Sequence, residues 1–234
     1  MQEHINPPRS QRKPLRQLVP KLLLVSAYFW VPTLVFLYLA NHIKANGPLP
    51  GDIAVLNALR QLSSPTLDTA MIAITTLGSA VVVIAGVAIA TGILAYLHRR
   101  RQAVFLLFSA AGTGAINIGF KYLFQRDRPS LWQQIVTENG FSFPSGHAMI
   151  SSALALSVIL ICWNTRYRVW AIVGGSVYFL LVGLSRLYLG VHFPSDVLGG
   201  WCVSLLWILT LHYAFDHFGK RRNTSSTTVP GRTT

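Results

Sequence analysis

His192 and Asp196 lie four positions apart in the stretch SRLYLGVHFPSD, Ser185 to Asp196. One helical turn places residues at that spacing on one face. A carboxylate bonded to one imidazole nitrogen fixes the tautomer and leaves the other nitrogen as a base or a nucleophile. The same pairing orients the histidine of a serine-protease triad. Here Ser185 and Ser195 have no nucleophile-elbow context, so no serine hydrolase is indicated. A histidine–aspartate pair standing alone is more often structural than catalytic, and its neighbours must decide.

Those neighbours are cations and an anion-binding helix start. Lys121, Arg128 and Arg186 belong to a chain in which only 12% of residues are charged. Three cations near one point repel each other unless an anion joins them. Phosphate fits, because Arg binds its oxygens as a fork and Lys supplies a compact charge. The stretch FPSGHA adds Ser145, Gly146 and His147. Pro144 suits the first turn of a helix, and free N–H groups near Ser145 and Gly146 can point at an oxyanion. Glycine there lets the ligand approach the backbone. PSGH by itself is equally an ordinary helix start with a boundary histidine; the cations and the His–Asp pair give it weight.

The elements that must hold these residues are membrane helices. The chain has 234 residues, 52% of them hydrophobic, too apolar for an ordinary soluble domain. Leu22–Ile43, Thr69–His98, Gln102–Phe120, Ala148–Thr165, Val169–Ser185 and Val197–Phe215 each run at least 17 residues without Asp, Glu, Lys or Arg. A bilayer-crossing helix needs about 17–25 such residues. The runs are too long for barrel strands and lack alternation. The expected fold is all-α, a polytopic six-helix transmembrane bundle. It occupies residues 21–216 between basic polar tails at 1–20 and 217–234, the polar parts of which, 1–17 and 219–234, read as disordered.

Net charge is +13. With six spans both termini share one side with the connections at 98–101 and 166–168, and that side holds 14 of the 20 basic residues. The positive-inside rule makes it cytoplasmic. The charge is therefore an orientation signal rather than a nucleic-acid footprint, since its short clusters form no reading module. Lys121, Arg128, Arg186, the PSGH stretch and the His–Asp pair then all fall at the outer boundary, where ionisable groups are functional candidates. Between the first two spans Ile53, Leu56, Leu59 and Leu62 recur at helical spacing, which predicts a short amphipathic helix on the outer surface. Glycines in GSAVVVIAGVAIATG, SAAGTGAINIG and GGSVYFLLVG predict close helix–helix approach. Cys162 and Cys202 sit near opposite ends of their spans, so no disulfide is expected.

KYLFQRDRP (Lys121–Pro129), PSGH and SRLYLGVHFPSD together resemble the three signature motifs of the type 2 phosphatidic acid phosphatases. That family shares a superfamily with the vanadium haloperoxidases, and the resemblance covers roughly residues 50–216. It implies that His192 attacks phosphorus with Asp196 orienting it. It further implies that His147 protonates the leaving oxygen and later activates water, and that Lys121, Arg128, Ser145, Gly146 and Arg186 hold the phosphoryl oxygens. Fixed cations and N–H donors are what phosphoryl transfer requires. Of seven acidic residues, only Asp127, Glu138 and Asp196 are expected near the site, so no metal or other cofactor is expected.

The expected activity is hydrolysis of a terminal phosphate from a lipid phosphate or diphosphate at the outer leaflet of the plasma membrane, through phosphohistidine. Undecaprenyl pyrophosphate, phosphatidylglycerophosphate and phosphatidic acid are the substrate classes considered. A phosphotransferase passing the group to a lipid hydroxyl is the close alternative. A non-catalytic lipid-binding or transport protein is the distant one, and it has no need of a paired nucleophile. Trp132 and Phe141 flank the site loop as candidate substrate contacts.

Overall fold

Apolar runs become helices here because lipid offers no partner to an exposed N–H or C=O. The computed structural model describes residues 15–225, with side chains described for 26–217. The described residues form α1 (Leu15–Asn46), α2 (Pro50–Arg60), α3 (Pro65–Leu77), α4 (Ala80–Tyr96), α5 (Arg100–Phe124), α6 (Gly146–Cys162), α7 (Arg168–Tyr188) and α8 (Pro194–Ser225), with no strand. The all-α expectation therefore holds among these residues.

The count of six spans takes a different form. Arg100–Phe124, Arg168–Tyr188 and Pro194–His217 are each long and apolar enough to cross a bilayer, and α3 with α4 forms a fourth candidate, bent by 45°. The expected second span, Thr69–His98, is thus broken. Ser79 caps α4 through its hydroxyl, which accepts from the Val82 N–H. At the break a Cβ on Gly78 would lie 2.5 Å from Val182 Cγ1, so glycine lets the corner press against α7. The helix α6 is apolar but has only 17 residues, the lower end of a spanning length. The expected tails lie mostly outside the described residues. Where they overlap, α1 already begins at Leu15 and α8 continues to Ser225, past the expected edge at 216.

α6 lies at the centre, packed on α5, α7 and α8. Its serine face is buried: Ser157 shares a hydrogen bond with Ser109 of α5 at 2.5 Å, and Ser204 of α8 donates to the Met149 carbonyl. Such polar contacts join membrane helices where lipid-facing apolar surface cannot. Phe36, Leu39 and Ile43 of α1 close the bundle against Met149, Cys202 and Val203. The predicted close approach is present at Gly112, where an added Cβ would strike the Trp207 ring, and at Gly183 against Trp201; Gly86, Gly92 and Gly174 have open space instead. Both cysteines are free.

The polarity of the bundle follows from its connections. The turns 97–99 and 163–167, next to Arg99–Arg101 and Arg166–Arg168, lie at the opposite end from the α5–α6 and α7–α8 connections. At the basic end Arg101 of α5 donates to the Phe215 carbonyl and pairs with Asp216 of α8. The chemistry-bearing residues gather at the other end, under α2. That helix is the expected amphipathic one, with an altered face: Leu56 and Asp52 are buried and Leu59 half-buried, while Ile53 and Leu62 are exposed.

Candidate active site

The left-handed C-cap at Gln125 (φ 47°) ends α5 and turns the chain into a polar loop. This loop carries Arg126, Arg128 and Glu138 before α6 begins at Gly146. On the other side, Gly190 in the left-handed region (φ +72°) turns the chain out of α7. Its position also lacks room for a side chain, because a Cβ there would sit 2.9 Å from Trp132 Nε1. That turn delivers Val191 and His192 against the loop.

His192 is buried, 1% exposed. Its Nδ1 faces Asp196 Oδ2 at 3.4 Å and its Nε2 faces Arg128 Nη1 at 3.1 Å. The carboxylate accepts from Nδ1–H, so Nε2 presents its lone pair to the guanidinium. The expected pairing of His192 with Asp196 is therefore present. Burial pushes the His192 imidazole well below its usual value, and the charges of Arg186, Arg128, Lys121 and His147 push it further. Both causes oppose protonation, so the neutral ring persists below the ordinary histidine midpoint. Carbon-13 histidine NMR should show His192 still neutral at pH 6, where a solvent-exposed histidine is mostly protonated. A midpoint at or above 6.5 would contradict this electrostatic picture.

The cations do converge, and the anion that joins them is a carboxylate of the protein itself. Glu138 accepts from Arg186 Nη2 at 2.5 Å and lies 3.6 Å from Arg128 Nη2. Burial alone would raise the Glu138 carboxyl. The charge and hydrogen bond of Arg186, with the charges of His147 and Arg128, outweigh it and hold the group below the usual range. Arg186 is 1% exposed; it also donates to Thr75 of α3 at 2.6 Å, while its Nε is buried without a partner. Arg128 donates to the Asn139, Gly140 and Val191 carbonyls, so it clamps the loop as well as facing His192. Burial lowers its affinity for its proton, and Glu138 and Asp196 counter this. Lys121, on the last turn of α5, and His147, on the first turn of α6, are half-buried and act electrostatically on the same cluster.

PSGH differs in detail from expectation. Pro144 precedes the helix, Ser145 is its N-cap, and α6 starts at Gly146. The Ser145 N–H donates to the Asp196 carbonyl at 3.0 Å and is not free for an anion. Gly146, the first helical residue, keeps an N–H with no intrahelical acceptor. Space at Gly146 is restricted by Asn117, whose Oδ1 would lie 3.1 Å from a Cβ. Asn117 itself donates to the Pro144 carbonyl. Trp132 packs on Gly190, and Phe141 meets the Tyr122 ring edge-on at 6.2 Å.

Two residues escaped the sequence reading. Arg126 donates from Nη1 to Asp196 Oδ1 at 2.5 Å and from Nη2 to Asp52 Oδ2 at 3.0 Å. Asp52, on α2, also accepts from the Ser195 N–H at 2.9 Å and hydroxyl at 2.6 Å. The side chains of Arg126, Asp52 and Asp196 are 6%, 3% and 0% exposed. Removing one partner of so buried an ion pair generally costs about 3–5 kcal/mol. Asp52 therefore joins Glu138 and Asp196 as a site carboxylate, while Asp127 is exposed and only its carbonyl is used, by the Ser142 hydroxyl. The one sequence signal was indirect: Arg126 is a cation on the cation-poor side, unexplained by topology.

A helical membrane bundle with a buried His–Asp pair, an arginine–lysine cluster and an open helix start at one end defines a recognisable class. Residues 102–220 match the family model described as the PAP2 superfamily, and the chain belongs to that superfamily. Phosphatidylglycerophosphatase B of Bacillus subtilis is 33% identical over 195 residues, 80% of this chain and 94% of that one. The undecaprenyl-diphosphatase of Sulfolobus acidocaldarius is 28% identical over 202 residues, 82% and 93% of the two chains. The crystal structure of the PAP2-type phosphatidylglycerolphosphate phosphatase from Bacillus subtilis matches with a TM-score of 0.75 at 28% identity, over 82% of this chain and 96% of that one. Aquifex aeolicus LpxE shares the fold, with a TM-score of 0.60 at 20% identity.

Proposed function

We propose that this chain is an integral membrane lipid phosphatase working through phosphohistidine. The observation that carries the proposal is the position of His192 Nε2, set by Asp196 on one side and facing the Arg128–Arg186 cluster on the other. The Arg186 Nε, buried without a protein acceptor, supports it as a donor open to a phosphoryl oxygen. In the first step the Nε2 lone pair forms an N–P bond as the P–O bond to the leaving group breaks, and His147 gives its proton to the departing oxygen. In the second, water attacks phosphorus, His147 takes its proton, and the P–N bond breaks to release inorganic phosphate. Lys121, Arg128, Arg186, the Ser145 hydroxyl and the Gly146 N–H hold the phosphoryl oxygens. Glu138 yields Arg186 to the substrate, being displaced by a group of greater charge.

The proposed substrate has its tail in the bilayer and its phosphate at the boundary where the cluster lies: an undecaprenyl diphosphate, phosphatidylglycerophosphate or phosphatidic acid type of lipid. The named activities of the Bacillus and Sulfolobus relatives favour the first two classes. The reaction requires no metal on this reading, because Asp196 and Asp52 are committed to Arg126 and the arginine–lysine cluster supplies the positive charge the phosphoryl group needs. Phosphate release from a panel of these lipids by the purified protein tests the activity. Release should survive EDTA and be inhibited by vanadate, which mimics the phosphoryl transition state. Loss on chelation, restored by magnesium, would overturn the metal-free step. Product analysis with acceptor lipids present should give free phosphate, whereas a phosphorylated acceptor would identify a transferase.

The proposed topology places six crossings in the plasma membrane, α3–α4 as one broken span, with both termini cytoplasmic and the site on the periplasmic or extracellular side. Reporter fusions at 100 and 167 should read cytoplasmic and those near 135 and 193 external. A cytoplasmic reading near 193 would rule out the outer-leaflet site.

A further inference from the structure

The geometry points to Arg126 and Asp52 as positioning residues that aim the Asp196 carboxylate at His192, Arg126 by pairing with it and Asp52 by holding Arg126. This inference rests on the assignment of His192 as nucleophile. Asp196 divides its two oxygens: Oδ1 accepts from Arg126, while Oδ2 accepts from the Phe193 N–H at 2.8 Å and faces His192 Nδ1 at 3.4 Å. Arg126 is held from below by the Phe193 ring, 4.2 Å from its guanidinium carbon. From the side Asp52 holds the other guanidinium nitrogen. Asp52 in turn has every role of its carboxylate filled by Ser195, Leu49 and Arg126. Helix α2, which contributes no group to the phosphate cluster, thereby reaches the orienting carboxylate through Arg126 and the turn that carries it through Ser195.

The charge arithmetic explains why both residues are needed. Two carboxylates and one guanidinium leave one net negative charge beside His192, and the positive ring formed during attack neutralises it. Without Arg126 two buried carboxylates would face each other across the vacated space, and one would take a proton. A protonated Asp196 could no longer stabilise the imidazolium. Without Asp52, Arg126 is free to engage Asp196 with both nitrogens and pull its charge away from His192. Arg126 thus acts on the nucleophile's partner, not on the phosphate.

The groups that set the pH response are Arg126 and Asp52 around Asp196, with Lys121 and Arg128 acting on the same carboxylate. Around His192 they are Arg186, Arg128, Lys121 and His147. The experiment is kcat/KM against pH, the pre-steady-state rate of phosphoenzyme formation, and the inhibition constant of inorganic phosphate for Arg126→Gln, Arg126→Lys and Asp52→Asn. Expected for Arg126→Gln is a loss of at least tenfold in phosphoenzyme formation and in kcat, with phosphate affinity within threefold of the parent. Its acidic limb should move to higher pH, because one carboxylate now protonates more easily. Arg126→Lys should restore part of the rate and most of the profile, and Asp52→Asn should lower the rate without changing phosphate affinity. Unaltered phosphate binding shows that the fold and cradle survive, whereas vanadate, as a transition-state mimic, should weaken with the rate. A parent-like rate and profile in Arg126→Gln and Asp52→Asn would overturn the proposal, as would rate losses that simply track lost phosphate binding. Failure of the underlying reading is separate: it would appear as turnover by His192→Ala, whatever the Arg126 variants do.

Discussion

Replacing His192 with alanine is expected to lower phosphate release from a lipid substrate by at least about 10⁴-fold, as removal of a nucleophile does in acyl-transfer enzymes. The reason lies in its surroundings. Within the cluster the other nucleophilic side chains are engaged or placed elsewhere: Ser145 caps α6 and Ser195 is bound to Asp52. His192 alone has a ring nitrogen facing Arg128 with a carboxylate behind it. Asp196→Asn should cost about 10³–10⁴-fold, the scale seen when an orienting carboxylate becomes an amide. Here the amide faces an added conflict. Asp196 accepts on both oxygens, from Arg126 on one and from the Phe193 N–H on the other, so either placement of an NH₂ group sets donor against donor. Steady-state assays on a lipid diphosphate check both variants; residual activity above 1% in His192→Ala would remove it as nucleophile.

The second large effect separates the histidines. His147→Ala should reduce turnover of lipids with poor alkoxide leaving groups by about 10²–10⁴-fold, the range for loss of a general acid or base. A nitrophenyl phosphate needs little proton donation, so formation of its phosphoenzyme should be largely rescued. Hydrolysis of that intermediate should stay slow, because the same residue activates water. Acid-labile phosphoenzyme should therefore accumulate in His147→Ala and not in His192→Ala. The reverse pattern would exchange the two roles. The placement of His147 fits the assignment: it sits on the first turn of α6, beside Gly146 and within the field of Glu138 and Arg186, not behind His192.

The residues of the three motifs were legible because each motif is local in sequence and its chemistry is visible in the residue types. His192 and Asp196 are one turn apart, and helix alternation brings Lys121, His147 and Arg186 to one end once the apolar runs are recognised. What stayed hidden depends on distant pairing. The Arg126–Asp52 contact joins positions 74 apart, and Asp52 lies in a surface helix whose period says which residues turn inward only roughly. Of the expected apolar face Leu56 is buried, but Ile53 and Leu62 are exposed, and Asp52 lies buried in an ion pair with Arg126 that the apolar period does not announce. Glu138 is expected near the site from its place between the third and fourth spans; that it occupies the cation cluster depends on the fold of a polar loop without periodicity. The break in the second span was hidden for another reason. Hydropathy reports burial in lipid and not backbone direction, so the run through Gly78 and Ser79 read as continuous, although the glycine–serine pair carried the corner.

The central claim is a covalent phosphoryl group on His192. Rapid quench of the enzyme with lipid diphosphate labelled in its terminal phosphate, followed by alkaline digestion and mass spectrometry, reads it directly. The account predicts an acid-labile, base-stable phosphoryl group on the peptide containing His192, formed at least as fast as turnover and enriched in His147→Ala. A label on another residue, or full single-turnover release of phosphate with no labelled protein at any time, would contradict it.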